Sequence, residues 1–142
     1  VATNRKQAFL KLVKEFEIEG DVFGIGEPTT EIGGYLGTME MLKSGKQFTA
    51  IFAANDYMAA GAMSALKEHG LSVPEDISIV GYDDHEYSSI MGLTTISQPV
   101  QFLGQLAASQ IMAKIEKPES VGAQMKVPVS LVVRDSVKDL TQ

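Results

Sequence analysis

The sequence lacks several features on which whole classes of protein depend. It contains no cysteine, so a disulfide framework and a thiolate metal site are both excluded. No apolar run approaches the roughly 18 residues that a membrane-spanning helix needs, so we predict no membrane segment. No signal-peptide pattern opens the chain, because charged residues and a helical pattern begin at Arg5. The chain also starts without methionine, and we expect it to be part of a longer protein.

Positive charge is scarce as well. The chain has 12 Lys and Arg residues against 18 Asp and Glu residues, which gives a formal net charge of −6. It contains no basic run and no cluster in which Lys or Arg alternates with aromatic residues. This composition argues against a nucleic-acid-binding surface on the chain. If the parent protein contacts DNA, we expect it to do so through residues outside this chain.

Catalytic signatures are missing too. The sequence contains no HExxH motif, no P-loop and no cysteine nucleophile. Its two histidines are His69, at the end of a predicted helix, and His85, in a predicted loop, so no Ser-His-Asp set can be assigned. We therefore predict that the chain is not an enzyme and requires no cofactor and no metal.

The clearest pattern that is present is a strand-helix-strand unit. Residues 48–54 form a short apolar run of the length typical of a buried parallel strand. Asn55 follows at once as a helix-capping residue, and small and apolar residues then recur at helical spacing over residues 57–69. Gly70 ends this helix, and residues 77–80 form a second apolar strand. Together they predict a βαβ unit with a right-handed crossover.

The rest of the chain continues the alternation of strands and helices. The other predicted elements are a helix capped by Thr3 or Asn4, a strand at 21–26, a helix capped by Thr29 or Thr30, a strand at 93–97, a helix at 100–117 and a strand at 127–133. The faces that these helices are expected to bury are Phe9, Leu12, Val13 and Phe16; Tyr35, Leu36, Met39 and Leu42; and Leu103, Ala107, Ile111 and Ile115. We predict one α/β domain, with a mainly parallel sheet and helices on both faces.

Polar side chains follow both strands of the βαβ unit, Asn55 and Asp56 after the first and Asp83 and Asp84 after the second. In open α/β sheets, ligands bind at this carboxyl edge. A carboxylate that accepts hydrogen bonds from hydroxyl groups, beside an amide that both donates and accepts, suits a sugar or a nucleoside. Three other interpretations compete: a solvated turn, a metal or phospho-acceptor site of the response-regulator kind, and, for Asp56, a simple helix cap.

Three sequence blocks carry a family resemblance. They are FTAIFAANDYMAAGAM, GLSVPEDISIVGYDD and LTTISQPVQFLGQLA. In this order and spacing they resemble the ligand-binding core of lac/gal-type (LacI/GalR) transcriptional repressors, and the resemblance covers nearly all of the chain. It implies a periplasmic binding protein-like fold of type I, in which an effector binds between two lobes.

The resemblance also implies how the chain divides. Residues 1–142 would be an effector-binding region that consists mostly of the C-terminal lobe. The helix at 99–117 would belong to the missing N-terminal lobe and would then expose an apolar stripe. By position, Arg5, Asn55, Asp83 and Gln98 match residues with which the family contacts its effector.

The function implied is ligand sensing by a cytoplasmic, allosteric transcriptional regulator. The partners implied are a small-molecule effector, most simply a sugar, a second copy of the chain in a homodimer, and DNA through an N-terminal domain absent from this chain. Two alternatives remain open at this point. One is a periplasmic sugar-binding protein that feeds a transporter, and the other is a sensory module fused to a different output domain.

Overall fold

The centre of the fold is a four-stranded sheet whose strands lie side by side in chain order. In this computed structural model, which describes residues 2–24, 26, 28–119 and 124–141, the elements are α1 (Ala2–Glu15), α2 (Glu31–Lys43), β1 (Ala50–Phe52), α3 (Asp56–Glu68), β2 (Ser78–Asp83), α4 (Glu86–Ile90), β3 (Thr94–Ser97), α5 (Val100–Glu116) and β4 (Ser130–Val132). No helix among these residues is long and apolar enough to cross a membrane.

The sheet is parallel over three strands and antiparallel at one edge. Ile51 of β1 pairs with Ile79 of β2, and Asp83 at the end of β2 pairs with Ser97 at the end of β3, both in parallel register. Strand β4 runs antiparallel to β3. The predicted α/β fold with a mainly parallel sheet is therefore confirmed.

The strand predicted at 21–26 is not formed at the described residues 21–24 and 26, which are irregular, and Ile25 lies outside the described residues. Gly24 and Gly26 both have positive φ angles, of 66° and 93°. A left-handed backbone at these positions interrupts the extended conformation that a strand needs. The prediction of a strand here was wrong.

The hydrophobic core lies between α3 and one face of the sheet. Burial alternates along β1, where Ile51 is buried and its two neighbours are exposed. Helix α3 starts as predicted, because the Asn55 side chain accepts a hydrogen bond from the backbone N–H of Met58. The buried members of this core are Ile51, Ala53, Ala59, Ala62, Leu66, Ile77, Ile79 and Leu93.

Helices α2 and α3 approach each other closely through glycines. A Cβ atom on Gly34 would overlap the backbone of Met58, and one on Gly61 would overlap the backbone carbonyl of Glu31. The buried residues of α2 are therefore Gly33, Gly34, Gly37 and Thr38. The predicted core face of α2 was wrong at Leu36, which is exposed, because the small residues form the contact.

Helix α1 lies over the opposite face of the sheet and makes few contacts there. It begins at Ala2, so Thr3 and Asn4 lie inside it and the predicted cap was wrong. The ring of Phe9 stacks on Phe52 of β1 with a centroid distance of 6.3 Å. Two other members of its predicted core face, Leu12 and Phe16, are exposed.

Helix α5 buries none of its residues. Of the positions predicted to face a core, Leu103 is half-buried and Ala107 is exposed, and Ile111 and Ile115 are 60% and 66% exposed. The helix predicted at 100–117 is confirmed, but no described element covers its apolar side chains. The exposed apolar stripe that the family resemblance implied is present instead.

The glycine contact between α2 and α3 leads to a stability prediction. We expect Gly61→Ala to lower the free energy of unfolding by about 1–3 kcal/mol, because the new methyl group forces α2 away from α3. Gly104→Ala in α5 is the matched control, since nothing lies within 4 Å of that position. It should raise stability by about 0.5–1 kcal/mol through helix propensity. Urea unfolding of both variants tests this, and equal effects would refute the packing argument.

Candidate functional site

Asp83 stands at the carboxyl end of β2, where the chain leaves the sheet through two strained residues. Asp83 and Asp84 have φ angles of 111° and 53°, in the region that L-residues other than glycine adopt at a cost. Two such residues in succession need outside contacts to hold them. The side chains of this turn supply those contacts.

The Asp83 carboxylate brings together two other residues predicted for the site. Its Oδ1 atom accepts hydrogen bonds from Arg5 Nη2 at 3.0 Å and from Gln98 Nε2 at 2.7 Å. Arg5 comes from α1, and Gln98 follows β3 directly. Two of the four predicted site residues therefore converge on one oxygen atom of a third.

Arg5 is held from three sides. Besides its ion pair with Asp83, it donates to the backbone carbonyl of Ala54, just beyond the end of β1. Its guanidinium lies 3.6 Å from the centre of the Tyr82 ring, a cation–π contact. Tyr82 was not among the residues predicted for the site. Its place next to Asp83 is the only signal that could have pointed to it.

Asn55 is not part of this hydrogen-bonded group. Its Oδ1 atom caps α3, and its Nδ2 atom donates to the backbone carbonyl of Thr29 at 2.9 Å. Both ends of the amide thus have partners in the protein. Asn55 sits at the same edge of the sheet, and its role as an effector contact stays a prediction.

Asp84 makes a second ion pair behind the first. Its Oδ1 atom lies 2.9 Å from Arg134 Nη2, and Arg134 also donates to the backbone carbonyl of Leu93. The hydrogen bond from Arg134 lowers the pKa of Asp84 below its usual value, against a smaller opposing effect of burial. This contact ties the strained turn to the segment that follows β4.

The simpler interpretation of Asp56 as a helix cap was wrong, because Asn55 caps α3. The Asp56 side chain is 2% exposed and accepts hydrogen bonds from residues of the turn, α4 and β3. Within the described part of the chain, no group of three or more His, Asp and Glu residues can hold a metal ion. Asp83 and Asp84 are paired with Arg5 and Arg134, whereas a metal site would need carboxylates without such partners.

A groove of about 1490 Å³ runs beneath α1 and away from Asp83. At the sheet edge it reaches Arg5 and Ala54, and elsewhere its lining is mainly apolar, including Phe9, Val13 and Phe48. A lining that is mainly apolar suits a sugar poorly, because a sugar presents hydroxyl groups that need hydrogen-bond partners. We identify the candidate site with the polar group around Asp83, and the groove with the loose packing of α1.

The chain matches a known protein family over nearly its whole length. Residues 1–137 match the family described as the periplasmic binding protein-like domain. The chain is 34% identical to the ribose operon repressor of Haemophilus influenzae, over 99% of this chain and 43% of that protein.

Two solved structures are similar in fold as well as in sequence. A LacI family transcriptional regulator from Enterococcus faecium, solved with bound ribose, matches with a TM-score of 0.82 and 33% identity, over 99% of this chain and 53% of that one. A dimeric Lac repressor with an 11-residue C-terminal deletion matches with a TM-score of 0.79 and 38% identity, over 94% and 49%. The chain thus spans about half the length of these relatives.

The ion pair of Asp84 predicts a pH dependence of stability. Because the pKa of Asp84 is lowered in the folded state, the stabilisation is present above the ordinary value of 3.8 and is lost as the pH falls through the lowered value. We expect Asp84→Asn to cost about 1–2 kcal/mol at neutral pH. Urea unfolding across the acid range should show this difference shrinking towards zero.

Asp21→Asn provides the control for this measurement. Asp21 pairs with Lys46 on the surface, and both side chains are at least half exposed. Exposed ion pairs contribute little to stability. A difference between wild type and Asp84→Asn that stayed constant as the pH fell would contradict the assignment of the ion pair.

Proposed function

The chain belongs to the periplasmic binding protein-like family, in the group of LacI-type transcriptional regulators, and from this membership we propose that it is the ligand-sensing part of a DNA-binding repressor. The single observation that carries the proposal is the polar group at the sheet edge, in which Arg5 and Gln98 converge on Asp83. Effector binding there is the function that this geometry supports best. Asn55 is the fourth proposed contact.

The effector that fits this site is a small sugar. Among the described hydrogen bonds, Asp83 uses only Oδ1, and its side chain is 40% exposed, so Oδ2 is open to a hydroxyl donor. The charges of Arg5 and Arg134 are already balanced by Asp83 and Asp84, which favours a neutral polyhydroxyl compound over a phosphate. The ribose bound to the Enterococcus faecium relative supports a pentose as the first compound to test.

We assign residues 1–142 to an effector-binding region, most of which is the C-terminal lobe. The helix within residues 99–117 would belong to the opposing N-terminal lobe, and the lack of any buried residue in α5 supports this division. A sugar bound between the lobes would favour their closed arrangement through its differential affinity for the two states. That shift would alter the spacing of DNA-binding domains located outside this chain.

We further propose an oligomeric state and a cellular location for the protein. The dimeric Lac repressor among the relatives supports a homodimer. We propose a cytoplasmic location, because a repressor acts where the DNA is. We propose no enzymatic activity, in keeping with relatives named as repressors. The periplasmic and fused-sensor alternatives have no specific observation in their favour.

A thermal-shift screen of the full-length protein against neutral sugars, beginning with D-ribose, tests the function. A sugar that binds only the folded state should stabilise it by about 2.7 kcal/mol at a hundredfold excess over the dissociation constant. We expect Asp83→Ala to abolish this shift, because the variant removes the acceptor that orients Arg5 and Gln98.

Asp76→Ala is the matched control for Asp83→Ala. Asp76 is an exposed aspartate that accepts a loop N–H at 2.8 Å, from Ser72, in the turn that precedes β2. It should leave the sugar-induced shift unchanged. A shift that persists in Asp83→Ala would move the effector away from the sheet edge, and the lack of any shift with sugars would argue against the proposed effector class.

A further inference from the structure

Asp56 is a buried carboxylate that has no cation beside it within the described residues. Its Oδ2 atom accepts hydrogen bonds from the backbone N–H of His85 at 2.8 Å and from Ser88 Oγ at 2.5 Å. Its Oδ1 atom accepts one from Thr95 Oγ1 at 2.6 Å. Because a buried charge is costly unless it is well hydrogen-bonded, these neutral donors are what allow Asp56 to stay inside.

The neighbouring strand leaves room for this side chain. A Cβ atom on Gly81 of β2 would overlap Asp56 Oδ1, so a glycine at this position is required. The adjacent residue of α3 reaches the same loop, since Tyr57 Oη lies 2.7 Å from His85 Nε2. Two residues of α3 therefore hold His85, Asp56 through the His85 backbone and Tyr57 through the His85 side chain.

The loop that Asp56 holds is the one that presents Asp83. The two left-handed residues Asp83 and Asp84 are restrained at three successive points. Asp83 is bonded to Arg5 and Gln98, and Asp84 is paired with Arg134. The third restraint is the hydrogen bond from the His85 N–H to Asp56, which fixes the far end of the turn.

We propose that Asp56 is a positioning residue for the effector site, an inference that rests on the proposed function. It does not reach the effector. By fixing His85, it keeps the strained turn in the conformation that directs the Asp83 carboxylate towards Arg5 and Gln98. Without it, the turn relaxes away from its left-handed conformation, and the arrangement at Asp83 is populated only part of the time.

The chemistry of the donors predicts which replacements succeed. The His85 N–H can only donate, whereas the hydroxyls of Ser88 and Thr95 can donate or accept. An asparagine at position 56 can accept from His85 and Ser88 through its oxygen and donate to Thr95 through its nitrogen. Asp56→Asn should therefore keep the loop in place, and Asp56→Ala should release it.

The first measurement is amide hydrogen exchange by NMR on the full-length protein without ligand. In Asp56→Ala, the amide of His85 should exchange about tenfold faster relative to that of Leu66, a buried residue of α3 that reports general stability. In Asp56→Asn the ratio should stay within about threefold of wild type. Asp76→Ala, which also removes a carboxylate that accepts a loop N–H, should leave the ratio unchanged.

The second measurement is the affinity of the full-length protein for D-ribose, or for the sugar found in the screen. Asp56→Ala should weaken binding about tenfold at a temperature where the variant is fully folded, and Asp56→Asn should restore it. If Asp56→Ala does not fold, Asp56→Ser takes its place. Its hydroxyl is one bond shorter than the carboxylate and cannot span the same distance to the His85 N–H.

The possible results separate the two proposals. An unchanged His85-to-Leu66 exchange ratio in Asp56→Ala would overturn the positioning role, as would a loss in Asp56→Asn as large as in Asp56→Ala. If no sugar binds the wild type, the proposed function fails, yet the exchange ratios still decide whether Asp56 fixes the turn. Faster exchange at His85 with undiminished sugar affinity would also overturn the proposal.

Discussion

One buried carboxylate links three segments at the edge of the sheet that carries the polar site. Asp56 accepts hydrogen bonds from donors on the β2–α4 turn, on α4 and on β3, all of them neutral, and it lies against Gly81 of β2. None of these donors can be lost cheaply, since each compensates part of the desolvation of a charge. The segment that follows β2 is thereby locked to the start of α3. An effector site built on this segment inherits that rigidity.

The rest of the chain divides into tightly and loosely attached parts. Helices α2 and α3 pack through glycines at a separation that no larger side chain would allow. Helix α1 is attached mainly by Arg5 at one end and by the stacking of Phe9 on Phe52, while α5 buries none of its residues. Of these two loosely attached helices, α1 carries Arg5, and α5 begins shortly after Gln98. In a two-lobed sensor, these are the parts expected to change their surroundings when the lobes close.

Much of the site could be anticipated, though not for a single reason. Strands β1 and β2 follow from apolar runs with polar residues after them, which any α/β sheet displays. The convergence of Arg5 and Gln98 on Asp83 joins residues 78 and 15 positions apart and was implied only by family resemblance. Tyr82 was missed because alternation along a strand gives the side of a residue but not its partner.

By itself, the sequence determined the features that depend on near neighbours. Asn55 and Thr30 cap their helices because a capping side chain reaches a backbone N–H only three residues away. The apolar runs at 48–54 and 77–80 likewise specified the neighbouring parallel strands β1 and β2. The tertiary structure alone decided which helix faces are buried, since α5 has a core-like pattern and nothing to cover it. It also decided the role of Asp56, whose partners lie 29 to 39 residues away, because long-range contacts depend on the packing of the whole sheet.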